Sequence, residues 1–244
     1  MFLDFTAFPT WVAVSSSPIS YFSESNPAGK IIVLLLFASS VAAWTVMVWK
    51  FMELSKLKKI NTMQKNSLSG LNSLIAVAVS KNPTIDSTLS KVFHSGLMAY
   101  HSEVRLFGNP QTELTRNRCM KNIENAMSRE LSRIGLYYES QMTTLGSIVT
   151  AAPFLGLLGT VWGVMEAFGG VAKGGSATLQ HLAPGVSGAL LTTVAALIVA
   201  IPSVIGYNYI VGYIKEMTLT LENDASELAE KFEAELCQDE SNLR

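Results

Sequence analysis

The chain has 244 residues, a formal net charge of −1 and two cysteines, with 49% apolar residues and only 15% charged ones. An ordinary soluble domain carries about 25% charged residues, so this balance and the positive mean hydropathy exclude a typical soluble domain and point to a membrane protein. A spanning helix needs about 20 apolar residues at a rise of about 1.5 Å each, and three charge-free runs qualify: Ile31 to Trp49, Ser140 to Met165 and Gly174 to Ile214.

In chain order, residues 1–30 form a first segment without a basic n-region and with Asp4 near its start, so a cleaved signal peptide is not expected. Its aromatics, Phe2, Phe5, Phe8 and Trp11, are expected at the membrane interface. Residues 31–49 are read as the first transmembrane helix.

Residues 50–139 follow as a helical region outside the lipid. Asp86 is a cap candidate for a helix with apolar residues at Leu89, Val92, Phe93, Leu97 and Tyr100 and a stop at Gly108 and Pro110. A second periodic stretch, Cys119, Ile123, Met127, Leu131, Ile134 and Tyr138, leads straight into the next span. That span covers 140–170, a short turn occupies 171–182, and a third transmembrane helix covers 183–214, beginning near Pro184, where a missing N–H costs nothing. From Pro184 to Ile214 it is about 47 Å long and protrudes past the bilayer. Residues 215–244 form an acidic helix with Leu221, Ala225, Leu228, Phe232 and Leu236 on one face. The fold class is therefore all-α, a polytopic membrane protein of three spans, two of which extend into a helical bundle.

The 50–139 region holds thirteen Lys/Arg against seven Asp/Glu, with Lys50, Lys56, Lys58 and Lys59 directly after the first span. The positive-inside rule puts this region in the cytoplasm, the N-terminus in the periplasm and the C-terminus in the cytoplasm. Nine Asp/Glu against three Lys/Arg in the tail do not reverse this, because acidic residues weigh little in the rule. Cys119 and Cys237 then face a reducing compartment, and no disulfide is expected.

Catalytic patterns are absent from the sequence. His94 and His101 lie seven residues apart without a ligand partner, so no metal is expected; there is no phosphate loop or nucleophile elbow, and no enzyme is expected. The basic residues are dispersed and lack an aromatic platform, which argues against nucleic acid.

Glycines mark the functional stretch. Gly156, Gly159 and Gly163 form a groove on the second span, and Gly185, Gly188, Ala189, Thr192, Ala196 and Ala200 form a small-residue stripe on the third. Hydrocarbon gives helices little reason to associate, so such faces serve close packing against protein. Thr160 and Thr193 sit symmetrically about a turn centred near residue 176, which places both hydroxyls at one depth of an antiparallel hairpin. There they either bond carbonyls one turn back or form a polar level lining a pore.

The stretches "PFLGLLGTVWGVMEAF" and "ATLQHLAPGVSGALLTTVAALIVAIPSVIGYN" closely resemble the TolQ/ExbB/MotA proton-channel family, with "AGKIIVLLLFASSVAAWTVMVWKF", "VFHSGLMAY" and "IENAMSREL" extending the likeness over nearly the whole chain. "ATLQ…APG" leans toward the TolQ branch. The resemblance implies a homo-oligomer, a pentamer of three-span subunits, in the bacterial inner membrane. Its second and third helices line a pore holding a TolR/ExbD-like single-span dimer. A TolA/TonB-like protein is a further possible partner. The coupling ion is the proton and no other cofactor is implied. The family's pore threonines fall on Thr160 and Thr193.

The residues agree that a partner is required. A relay across a membrane needs a titratable group inside it, yet no carboxylate, histidine, lysine or arginine occurs in 140–165 or 182–214. The acid must come from another chain; in the family it is an aspartate of the single-span partner. Gly188 is a departure, because many relatives carry a glutamate there. Glu166 averages with Gly188 to residue 177 and shares its depth, so it either replaces that acid at the outer mouth or rests among lipid headgroups. Three functions stay open: a TolQ-like stator acting on the cell envelope, an ExbB-like subunit energising outer-membrane transport, and a passive membrane scaffold.

Overall fold

The computed structural model describes residues 22, 26–69, 87–174 and 179–238, and all of its regular elements there are α-helices. These are α1 (Pro27–Ser69), α2 (Thr88–Phe107), α3 (Glu113–Glu139), α4 (Met142–Gly174) and α5 (Leu179–Gln238). Three helical stretches, Pro27–Asn66, Glu113–Ala172 and Leu182–Cys237, are long and apolar enough to cross a membrane. Among the described residues the protein is all-helical, with three membrane-spanning candidates, in keeping with its apolar composition. The interfacial aromatics expected in 2–11, and Asp86, lie outside the described residues.

The chain forms two compact units, one from 1–45 with 144–207 and the other from 46–143 with 208–244. In the first, Ile32 and Leu36 of α1 meet Ala152 of α4 and Ala196, Val199 and Ala200 of α5, with Leu155 and Ala195 alongside. Small residues fill this core while the bulky ones turn outward: Phe154 is 71% exposed and Ile198 67%. That inversion suits a solvent of acyl chains, where large side chains cost nothing outside and small ones let backbones approach.

The second unit has an ordinary core. Leu89, Val92 and Phe93 of α2, Ile123 and Tyr138 of α3 and Phe232 of α5 are buried, and the rings of Phe93 and Phe232 stack at 5.8 Å. The α2 periodicity holds through Leu97 and Tyr100, and the tail residues Leu221, Ala225, Leu228, Phe232 and Leu236 are all buried. On α3, Leu131 is only half-buried. The N-cap of α2 is Ser87, whose hydroxyl accepts from the Ser90 amide at 2.9 Å. Gly108 ends the helix at φ +79, its amide bonding Val104 O at 2.8 Å, the left-handed conformation that glycine adopts without strain. Thr88 ties α2 to both neighbours, accepting from Asn61 at 2.7 Å and meeting the Tyr138 hydroxyl at 2.8 Å.

Two boundaries differ from the sequence reading. The α3 helix does not run into the second span: it ends at Glu139, and α4 starts at Met142 after Gln141 takes φ +67. Neither Gly nor Pro marks that break. The third apolar helix starts at Leu179 rather than near Pro184, because a proline at the sixth position removes only one helical bond, to the carbonyl four residues back.

Lys50 is held at the α3 break. Its side chain is fully buried, and Nζ donates to Glu53 Oε2 at 2.9 Å, to the Tyr137 carbonyl at 3.3 Å and to Ser140 Oγ at 3.3 Å. The Tyr137 hydroxyl donates to the other oxygen of Glu53. The ammonium thus occupies the C-terminal end of α3, where the helix dipole and unpaired carbonyls favour a cation.

Candidate functional site

The tight contact between α4 and α5 is built by absence of side chains. A Cβ on Gly156 would stand 2.4 Å from Ala196 Cβ, one on Gly159 2.4 Å from Thr192 Oγ1, one on Gly163 2.6 Å from Ala189 Cβ and one on Gly185 2.9 Å from Ala167 Cβ. Gly188 is buried on α5. Each facing pair averages to a position close to residue 176, the register the hairpin argument requires.

The close approach brings hydroxyls to one backbone oxygen. The Gly156 carbonyl lies 3.1 Å from each of the hydroxyls of Thr160, Thr192 and Thr193, and the Thr160 and Thr193 oxygens are 3.2 Å apart. Thr160 also reaches Leu157 O at 2.9 Å and Thr192 reaches Ala189 O at 2.7 Å. Thr160 therefore bonds carbonyls of its own helix, the first of the alternatives posed for it, and also meets Thr193 across the hairpin. Thr160 and Thr193 are half-buried, whereas Thr192 is fully buried.

Thr192 is the residue that sequence reasoning missed as a hydroxyl, because its size alone placed it in the small-residue stripe. The signal was there in its spacing: Thr192 and Gly159 are equidistant from the turn, so a hydroxyl facing a glycine was legible.

Glu166 is exposed and accepts a hydrogen bond from the Asn26 amide at 2.7 Å. Asn26 immediately precedes α1, so the carboxylate ties α4 to the start of the first span. The structure does not bring Glu166 to the threonine level. Among the described residues no group of three or more His, Cys, Asp or Glu side chains is gathered at metal-binding distance.

A hairpin with a polar level and no charged group in it can line a passage but cannot itself carry a proton on a carboxylate. Residues 84–223 match the family model for the MotA/TolQ/ExbB proton channel family. The chain belongs to that family. The match takes in α2, α3, α4 and most of α5, so the threonine level lies inside the family region. Among its relatives, the Tol-Pal system protein TolQ of Pseudomonas aeruginosa is 30% identical over 191 residues, covering 78% of this chain and 80% of the relative. The biopolymer transport protein ExbB of Neisseria meningitidis serogroup A is also 30% identical, over 212 residues, covering 85% of this chain and 93% of the relative. A TolQ of Haemophilus influenzae is 27% identical over 193 residues. Equal identity to TolQ and ExbB places this family member in neither branch.

Proposed function

We propose that this family member is the stator subunit of a proton-driven motor in the bacterial inner membrane. Several copies, five in the family's arrangement, surround a passage lined by α4 and α5. The passage holds the helices of a TolR/ExbD-like single-span dimer, whose aspartate carries the proton. The observation that supports this best is the hydroxyl level at Thr160, Thr192 and Thr193 within a hairpin that has no charged side chain of its own at that depth. Hydroxyls and carbonyls exchange bonds with a protonated or ionised carboxyl group without locking it, whereas fixed charges would hold the partner in place. Each proton crossing releases about 2.3 kcal/mol per 100 mV, enough to bias movement of the partner if protonation changes how it fits the wall.

The excess of Lys/Arg in 50–139 supports a periplasmic N-terminus and a cytoplasmic C-terminus. Within the family we favour the Tol-Pal role, force passing through a TolA-like protein to the outer membrane, on the sequence "ATLQ…APG". The ExbB-like role of energising outer-membrane transport is the second reading, supported by equal identity to ExbB relatives.

The test uses the chain reconstituted in liposomes with its single-span partner. Thr160→Ala or Thr193→Ala is expected to lower proton flux by roughly fivefold, as the loss of one hydrogen bond of about 1 kcal/mol implies, while the two proteins still purify together. Unchanged flux with an intact complex would leave the passive scaffold standing instead.

Glu166 serves in this reading as the acid of the outer mouth, taking the place of the glutamate that many relatives carry where this chain has Gly188. Glu166→Gln keeps a carbonyl that accepts from Asn26, so it isolates the charge. Motor activity in cells should fall severalfold with protein level unchanged; equal activity would assign Glu166 to the headgroup layer.

A further inference from the structure

Away from the hairpin, α3 and the distal part of α5 enclose an open groove of about 610 Å³ within the second unit. Its walls run from Met120 to Gly135 on α3 and from Thr218 to Glu233 on α5, about 22 Å at the helical rise. Its floor is narrow and apolar: Leu131 and Ala229 are half-buried, above Met120, Met127 and Ala225, which are buried.

The rim has one sign. Glu124, Glu222, Glu230 and Glu233 line it, and no lysine or arginine does. Several other acidic residues of these helices are paired, Glu130 with Arg133, Glu216 with Lys58, and Asp224 and Glu227 with Lys65, whereas Glu113 and Glu139 at the two ends of α3 are in no ion pair. Among the described residues the four rim glutamates have no ion-pair partner, and all four are exposed. A groove about four helical turns long, narrow and apolar at its floor and lined by unpaired carboxylates, selects its occupant by charge above all.

We propose that this groove receives a basic amphipathic helix of a partner protein. Its apolar edge rests on Leu131 and Ala229 and its lysines or arginines pair with the four glutamates. The occupant's pattern follows from the walls: apolar residues at i, i+3, i+4 and i+7 with basic residues flanking them.

The test uses the full chain in phosphatidylcholine nanodiscs and a fluorescent leucine/lysine peptide of about 16 residues, long enough to fill the groove. The wild-type chain should bind the peptide above the level of empty nanodiscs, and a leucine/glutamate peptide of the same spacing should bind at least tenfold more weakly. Glu124→Gln, Glu222→Gln, Glu230→Gln and Glu233→Gln combined should weaken lysine-peptide binding by about tenfold and remove most of its salt dependence, since partly exposed charge pairs each contribute little but add. Unchanged circular dichroism confirms that the variant is folded. A photo-crosslinker at Ser128, which lines the groove, should label the peptide. Three results would overturn the proposal: binding no greater than to empty nanodiscs, binding indifferent to the four substitutions, or Ser128→Cys joining two copies of the chain while the peptide is excluded, which would give the groove to a second subunit.

Discussion

Gly156→Ala is expected to destabilise the α4–α5 hairpin by about 1–3 kcal/mol, the usual cost of overpacking a filled contact, and Gly156→Leu to prevent the hairpin from closing. The added Cβ would meet Ala196 Cβ at 2.4 Å, and behind it stand Thr193 Cα at 3.1 Å and Thr192 O at 3.2 Å. An alanine Cβ is fixed by its backbone and cannot turn aside, and the two atoms behind it are backbone as well, so the helices must separate. Thermal unfolding in detergent measures the loss. Ala196→Gly added to Gly156→Ala removes the nearest obstacle and should restore part of the stability, whereas added to Gly156→Leu it should restore almost none. If Gly156→Ala melts like the parent protein, the helices do not touch at this glycine.

The second large effect is at Lys50. Removing one partner of a buried ion pair costs about 3–5 kcal/mol because the other charge is left behind, and Lys50→Met also strips the cation from the end of α3. The double variant Lys50→Met/Glu53→Gln leaves no orphaned carboxylate and should be more stable than Lys50→Met alone, with a coupling of about 1–3 kcal/mol in the four-member cycle. Denaturation of the four proteins under one detergent condition supplies it. Additive losses would show that Lys50 and Glu53 act separately.

What the sequence made legible follows from how many residues repeat a signal. Charge-free runs disclose the three spans, and three- and four-residue spacing discloses α2, α3 and the tail of α5, because every turn restates the same burial. The antiparallel register was legible from the symmetry of Thr160 and Thr193 about residue 176, and the 3.2 Å separation of their oxygens agrees with it.

Features resting on single residues were hidden. Lys50 counts in the sequence as one more topological charge, yet it is fully buried as a helix cap. Gln141 gives no warning of a positive φ because the residue types that signal one are absent at 140 and 141. Thr192 differs from these two: its spacing from Gly159 was legible, but its size drew it into the small-residue stripe. Symmetry about the turn picked out Thr160 and Thr193, and the family resemblance fell on the same two, but neither gave the third hydroxyl, which the approach of Gly159 puts beside them.

That crowding around Gly156 has an arithmetical result. A carbonyl oxygen has two lone pairs, and the Thr160 amide already takes one through the helical ladder, so three neighbouring hydroxyls compete for what is left. Each side chain owns one hydrogen and has a second acceptor in reach, in Leu157 O, Ala189 O or its neighbour's oxygen. The hydrogens therefore have several allowed settings, like those of water molecules in ice, which interconvert by turning hydroxyls while the heavy atoms stay where they are.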